Sequence, residues 1–207
     1  SYDGMVTDFV PTEDFDGTIV VPQYVSVDNK DGTYSAIKVT SINSNAFASV
    51  KESLKTIVLP VYVTDIPDSA FEGFSKLEEV ISFGATTIGA KAFKDCVSLK
   101  EVYLPKKLFS IQEGAFGGCS SLGDICLPDN LQRIYSGAFE NCTSLQTINI
   151  PGKVRVICSN TFSKSLALSA KRGASLTSSF VIPVSVVTSC GILLSGLKNI
   201  FILSSFP

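Results

Sequence analysis

The chain has 207 residues, 45% of them apolar, a net charge of −2 and no histidine. Without histidine it cannot build Ser-His-Asp or Cys-His nucleophilic sites or the usual imidazole metal sites. It also has no run of about 18 uninterrupted apolar residues, the length that predicts a membrane-spanning helix.

The charges are unevenly distributed. Residues 1–140 hold all 19 acids and 11 bases, whereas residues 141–207 hold six bases and no acid. Such an acidic front and basic back can steer partners or neighbouring copies.

In chain order, a lead-in of 46 residues is followed by a repeated phrase. One column of phenylalanines has spacings of 24, 22, 23, 23 and 23 residues, and an isoleucine always stands five residues before the phenylalanine. The phenylalanines are Phe47, Phe71, Phe93, Phe116, Phe139 and Phe162. Two further apolar columns and a proline keep the same register, as in LPDNLQRIYSGAF at residues 127–139. So many registers kept at once indicate an internal repeat.

Each repeat predicts a short strand followed by a tight turn. In the segment Val102-Tyr103-Leu104, alternation puts the first and third side chains inward and the middle one outward. Proline then ends the strand because it cannot donate to a ladder. A second inward pair follows, such as Leu131 and Ile134, and the G/S-A-F-x-x-C phrase forms a tight turn or one helical turn that directs Phe into the core.

One such unit cannot bury its apolar face alone, but stacked units about 4.8 Å apart build a continuous core. The sequence therefore predicts a repeat solenoid that is mostly β. One parallel sheet of short strands should lie on one face, with turns or short helical segments on the opposite face. The expected domain is a single solenoid over 1–207, with a lead-in and cap at 1–46, regular repeats at 47–165 and irregular terminal repeats at 166–207.

The repeat resembles the BspA-like leucine-rich repeat. That pattern is clearest in CSSLGDICLPDNLQRIYSGAFENC at residues 119–142, and TIVVPQYV with GTYSAIKVTSINSNAF is similar to the family's lead-in. The resemblance implies a right-handed leucine-rich-repeat superhelix. It also implies a bacterial protein, secreted or on the cell surface, of a kind associated with adhesion to host matrix proteins, host cells or other microbes. It carries over no catalytic residue.

Binding is expected on the outward side of the strands, where side chains of successive repeats stack in two rows. Repeat proteins use such extended faces for recognition. The alternative is that these residues only keep the sheet soluble or link its neighbouring strands. The candidate ligand-binding residues are Thr56, Val58, Glu79, Ile81, Glu101, Tyr103, Asp124, Cys126, Thr147 and Asn149. The mid-strand row is expected to continue at Val181 and Phe201.

Glu79, Glu101 and Asp124 should form an acidic row with rungs about 5 Å apart. Like charges at that spacing repel and raise each other's pKa, which a Ca²⁺ ion or a Lys/Arg-rich partner would relieve. Lys55 and Lys100 can instead neutralise the row. Paired carboxylates also suit glycosidases, but a sheet face without an evident cleft does not favour that chemistry.

The cysteines Cys96, Cys119 and Cys142 occupy one column, in which Val50, Phe74 and Ser165 stand elsewhere. A column that accepts Val and Phe is apolar, so these thiols are expected to be buried and free. Zinc-type C-x₂-C spacing is absent. Cys126, on the outer strand face, is the thiol expected to be exposed.

The sequence therefore predicts a non-enzymatic binding module without a cofactor or metal. The expected partner is a host or microbial surface protein or glycan, not nucleic acid and not a membrane interior. The alternative is a structural subunit that stacks head to tail with its own copies. The sparsely charged end of the chain, residues 173–207, leaves that alternative open.

Overall fold

The computed structural model describes residues 4–165, 180–183, 192–193 and 200–203. These segments are almost entirely short strands and turns, with one 3₁₀ helix at Ala48–Val50. The strands are β1 (Met5–Val6), β2 (Thr18–Val20), β3 (Tyr24–Asp28), β4 (Tyr34–Lys38), β5 (Ser41–Ile42), β6 (Thr56–Leu59), β7 (Asp65–Ile66), β8 (Glu79–Ser82), β9 (Thr87–Ile88), β10 (Glu101–Tyr103), β11 (Ser110–Ile111), β12 (Asp124–Ile125), β13 (Arg133–Ile134), β14 (Thr147–Ile148), β15 (Val156–Ile157), β16 (Phe180–Pro183), β17 (Ile192–Leu193) and β18 (Ile200–Leu203).

The predicted strand phrase forms a parallel ladder in the order β2-β6-β8-β10. Ile57 lies opposite Val80, and Val80 opposite Val102, so the inward column is in register, and all three side chains are buried. Strands β12 and β14 repeat the phrase and pair with each other, also in parallel, as a separate two-stranded sheet. The predicted parallel β solenoid is therefore confirmed.

The structure adds a second parallel ladder that the sequence did not predict. Strands β7, β9, β11, β13 and β15 stack in that order, with β17 antiparallel to β15. They come from the L-x-x-I segment and place Ile66, Ile88, Ile111, Ile134 and Ile157 in one buried column. A strand of two residues is too short to show a period of two, so its sequence reveals an inward pair but not a ladder.

An antiparallel hairpin of β3 and β4 interrupts the stack after β2. Its first residue docks on the turn after β6, where the Tyr24 and Tyr62 hydroxyls are 2.9 Å apart. Lys38 Nζ also lies 4.8 Å from the centre of the Tyr62 ring. The insertion explains why β2, which pairs directly with β6, stands outside the regular repeat spacing.

The phenylalanine column is the centre of the core. Consecutive rings from Phe47 to Phe162 stack with centroid distances of 5.2 to 5.6 Å and interplanar angles of 4° to 14°. All six side chains are buried. The backbone follows the same repeat, since Phe93 N donates to Ala115 O and Phe116 N to Ala138 O, each at 2.8 Å. A buried alanine before the phenylalanine, replaced by Thr161 in the last turn, permits close approach of neighbouring turns.

The phenylalanine segment is a tight turn, which settles the choice between turn and helix for these repeats. The residues two before Phe have φ between 55° and 63°, and those two after it have φ between 57° and 79°. The first set is Ser69, Lys91, Gly114, Gly137 and Asn160, and the second is Gly73, Asp95, Gly118, Asn141 and Lys164. Left-handed φ on both sides reverses the chain around the inward ring, and glycine accepts it at the least cost.

The terminal region lies largely outside the described residues. Its described strands β16 and β18 are parallel, with Val181 opposite Phe201. The predicted division into irregular terminal repeats over 166–207, and any cap at that end, concern residues that lie mostly outside the described part of the chain.

Candidate functional site

The first three turns of the candidate site are brought together as the sequence predicted. Thr56 lies opposite Glu79 and Glu79 opposite Glu101, which builds the polar row. In the mid-strand row, Ile81 lies between Val58 and Tyr103. Register is set by the buried isoleucine and valine column, because a slip of one residue would turn those side chains outward.

The remaining candidates lie on the β12–β14 pair. Asp124 and Thr147 are opposite each other. Cys126 and Asn149 are exposed, but each follows the last residue of its strand and does not lie within it. The predicted mid-strand row therefore lies in strands up to Tyr103 and in loop positions at Cys126 and Asn149, whereas its predicted continuation at Val181 and Phe201 again lies in strands, β16 and β18.

A concavity of about 620 Å³, called here the strand groove, opens where the ladder is interrupted between β10 and β12. It brings together four of the ten predicted residues: Glu101, Tyr103, Asp124 and Cys126. The other lining residues are Lys100, Val102, Leu104, Ser121 and Gly123. The sequence predicted a face without an evident cleft, and on that point it was wrong.

Gly123 is the physical reason for the groove. The same position holds Lys55, Glu78, Lys100 and Gln146 in other turns, so glycine removes one long side chain from the face. A Cβ atom added at Gly123 would meet no atom within 4 Å. A glycine in a column of long polar residues was the sequence signal that could have located the groove.

The mid-strand row also begins earlier than predicted. Val20 on β2 lies opposite Val58 and is 65% exposed, and Tyr103 at the other end of the ladder is 52% exposed. The intervening Val58 and Ile81 are half-buried. The face therefore carries a continuous apolar row beside the polar one. The TIVVP phrase of the lead-in was the available signal, because it matches the repeat's strand phrase.

Hydrogen bonds organise the charges of this face. Tyr103 Oη donates to Glu101 Oε2 at 2.5 Å, and this contact with a carboxylate raises the pKa of Tyr103. Lys100 Nζ donates to Glu78 Oε2 at 2.9 Å, which lowers the pKa of Glu78. Lys100 therefore pairs with a carboxylate beside the predicted acidic row and not with Glu79 or Glu101.

Beside the groove lies a smaller concavity of about 300 Å³, whose lining includes Glu79 and Glu101. Within the described residues, no group of three or more Cys, Asp or Glu side chains has an arrangement that could hold a metal ion. In that same part of the chain, no helix is both long and apolar enough to cross a bilayer.

The column of cysteines serves packing, as predicted. Cys96, Cys119 and Cys142 are buried and unpaired, and Cys126 is exposed. Burial raises the pKa of Cys96 and Cys142 to about 12 and holds that of Cys119 well above its usual value. These thiols stay protonated near neutral pH and are poor nucleophiles.

The thiols also have a polar role that the sequence did not reveal. Cys96 Sγ donates to Phe71 O at 3.0 Å, and Cys119 and Cys142 repeat the contact with Phe93 O and Phe116 O at 3.1 Å. Ser165 Oγ makes the equivalent bond to Phe139 O. A small donor at this position thus adds a second hydrogen bond to a carbonyl of the preceding turn that already accepts a backbone N–H.

The sequence matches the family model of the BspA-type leucine-rich repeat region, in six copies, over residues 40–169. No curated protein sequence shows significant similarity to the chain.

Solved structures of bacterial leucine-rich repeat proteins resemble the chain. The T. pallidum leucine-rich repeat protein is 25% identical with a TM-score of 0.55, and the match covers 72% of this chain and 70% of that one. A leucine-rich cell surface protein of Faecalibacterium prausnitzii is 26% identical with a TM-score of 0.61, covering 74% of this chain and 46% of that one. A leucine-rich repeat protein of Eubacterium ventriosum, 22% identical with a TM-score of 0.55, shares the fold over 66% of this chain and 37% of that one. The chain thus spans less than half the length of the second and third of these proteins.

Proposed function

This chain belongs to the BspA-type leucine-rich repeat family, and from that premise we propose that it is a non-catalytic binding module that recognises a surface protein through its strand face. Leucine-rich repeats are in general protein-interaction modules. The observation that carries the proposal is the strand groove, which collects Glu101, Tyr103, Asp124 and Cys126 in one concavity. We further propose that the protein acts at the surface of a bacterium or is secreted from it, as an adhesin.

The chemistry of the face favours a protein partner that is both basic and apolar. An apolar row runs from Val20 to Tyr103, and the acidic row of Glu79 and Glu101 lies beside it in register. A segment with alternating apolar and Lys or Arg side chains would match both rows. Each contact is shallow, so affinity would come from several contacts made at once, with exposed Tyr103 as the aromatic anchor.

Rigidity supports this mechanism. The candidate rows are carried by strands whose inward residues are buried in the core, and by turns held through backbone hydrogen bonds. A pre-formed surface orders few of its own groups on binding, so less free energy is lost to conformational entropy.

The test is an array of purified extracellular matrix proteins, surface proteins and glycans, probed with the wild-type chain and matched variants. Tyr103→Ala and Glu101→Gln should each weaken the strongest protein hit, the first about tenfold or more, as expected for an aromatic anchor. Gly123→Gln introduces into the groove the residue type found at the equivalent position of another turn, Gln146. It should weaken binding to the same protein without changing the charge of the groove. Tyr34→Ala, at a residue 71% exposed on the hairpin, is the matched control. A hit that survives all three groove variants would refute the strand face as the binding surface.

The second candidate is a self-assembling subunit, which the separation of acidic front and basic back favours. Light scattering after size-exclusion chromatography at low and high salt distinguishes the two. Self-association at low salt without any hit on the array would favour assembly, and a monomer under both conditions would refute it.

A further inference from the structure

A second charged surface lies on the proline turns after the first ladder and along the second ladder, outside the residues that line the strand groove. Five exposed cations cluster there on three consecutive coils. They are Lys106, Lys107, Arg133, Lys153 and Arg155, and together they are called here the basic turn patch. None of the five lines the strand groove or the smaller acidic concavity beside it.

Hydrogen bonds between coils bring most of these residues together, while Lys107 Nζ donates to Val61 O on an earlier coil at 3.4 Å. Lys153 Nζ donates to Asn130 Oδ1 at 2.6 Å, and Asn130 Nδ2 donates to Lys106 O at 2.9 Å, which joins the three proline turns. On the adjoining ladder, Arg155 N donates to Gln132 O at 2.9 Å, so Arg155 follows one coil after the segment that carries Arg133. The cations therefore form a block that extends along the solenoid axis and not a set scattered around it.

The patch has a large excess of positive charge. The exposed carboxylate on the three proline turns that carry Lys106, Lys107 and Lys153 is Asp129, on the middle turn. Among the residues that the structure describes, the salt bridges are made by Lys94 and Lys100, neither of which belongs to the patch. Repulsion among the cations is therefore not relieved by ion pairing within the described chain, and an anionic partner would relieve it.

We propose that the basic turn patch binds a linear anionic polysaccharide, sulfated or carboxylated, at a site separate from the strand face. The surface is shallow and its cations are carried on long side chains, so one small anion would gain little. A polymer that repeats its negative charge can contact coils about 4.8 Å apart and add several weak interactions.

Two other polyanions fit the patch less well. Single-stranded nucleic acid gains much of its affinity from bases stacked on aromatic rings, and the ring within the patch, Phe109, is covered by the Arg133 guanidinium, 5.1 Å from its centre. Acidic protein segments gain affinity from buried aromatic and aliphatic anchors, and the most exposed large apolar side chains of the described chain, such as Val10 and Tyr34, belong to other regions. A hydrated polysaccharide needs little beyond charge contacts.

The experiment measures binding to heparin, used as a defined sulfated polysaccharide, by fluorescence titration at several salt concentrations. The triple variant Lys106→Gln, Lys107→Gln, Lys153→Gln should bind about tenfold more weakly or worse, as expected for the loss of three exposed ion pairs. Its salt dependence should also become shallower. The control variant Lys30→Gln, Lys76→Gln, Lys91→Gln removes the same charge from exposed sites elsewhere and should bind like wild type.

The outcomes separate this proposal from the strand-face proposal. Equal loss in both triple variants would mean that only net charge matters, and equal binding to uncharged dextran would mean that charge does not matter. Either result overturns the inference. Tighter binding to single-stranded DNA or polyglutamate than to heparin would overturn the polysaccharide assignment. Tyr103→Ala and Gly123→Gln should leave heparin binding unchanged, so failure at one surface can be distinguished from failure at the other.

Discussion

The phenylalanine stack offers the sharpest test of the core. In Phe116→Ala, a side chain with no exposed surface is removed from between two rings, whose centroids lie 5.3 Å away at Phe93 and 5.4 Å away at Phe139. Truncation of a buried Phe to Ala costs about 3 to 5 kcal/mol, from lost burial and the cavity left behind. Each aromatic pair adds about 0.5 to 1.5 kcal/mol beyond its buried area. Because this ring has two stacked neighbours, we expect a loss at the upper end of that range, about 4 to 5 kcal/mol.

The loss is a large part of the total stability expected for a folded domain, about 5 to 15 kcal/mol. Urea denaturation followed by circular dichroism measures the free energy of unfolding. The milder variant Phe116→Leu keeps most of the volume but loses both stacked pairs, so a result remains available if the alanine variant does not fold.

The matched control is Phe83→Ala, which removes the same atoms from a ring that is 58% exposed. It should change the unfolding free energy much less than the buried truncation, because exposed apolar groups contribute little to burial. If the unfolding free energies of Phe116→Ala and Phe83→Ala differ by less than about 1 kcal/mol, the cost expected for truncating a buried phenylalanine does not apply here. The stacked column would then not be the main stabilising feature of the core.

Three further outcomes follow from turns and thiols. Gly114→Ala should destabilise the fold by about 1 kcal/mol, because an added Cβ has room but φ at this residue is 62°. Gly123→Ala, where a Cβ has room and φ is not positive, should instead stabilise the fold by about 0.4 to 1 kcal/mol. Equal effects of the two variants in urea denaturation would contradict the assigned backbone conformations. Because burial raises the pKa of Cys96 to about 12, the folded state keeps a proton that the unfolded thiol releases near pH 8.5. Stability should therefore fall as pH rises above about 9, and Cys96→Ala should flatten that fall by about 1.4 kcal/mol per pH unit; an equally steep fall in Cys96→Ala, measured by urea denaturation over that pH range, would contradict the burial of this thiol. In the native protein a maleimide should label exposed Cys126 and spare Cys119 until urea unfolds the chain; prompt labelling of Cys119 would contradict its burial.

Much of the core followed from the periodicity of the sequence. The fixed offset between Ile111 and Phe116, repeated six times along the chain, required both residues to face inward in every turn, and both are buried. The alternation in Val102-Tyr103-Leu104 likewise predicted which side chain of the strand would face outward. Such patterns are readable because each coil meets only its neighbours, so one local rule applies to the whole stack.

The strand face was predictable in part. Placement of Glu79, Glu101 and Tyr103 in neighbouring rows follows from the same repeat and is observed. The groove was not predicted, because it depends on a side chain that is missing at Gly123 and on the break between β10 and β12. A column average over repeats conceals a single departure of this kind.

By itself, the sequence determined the solenoid, its inward columns, the buried thiols and the rows that face outward. These features depend on the spacing of apolar residues along the chain, and contacts between one coil and the next are enough to enforce them. The tertiary structure decided the second ladder, the groove beside Gly123 and the grouping of Lys106, Lys153 and Arg155 on one side. Two-residue strands, gaps between strands and charge clusters carry no period of their own. They arise only when coils are stacked and residues from different turns meet in space.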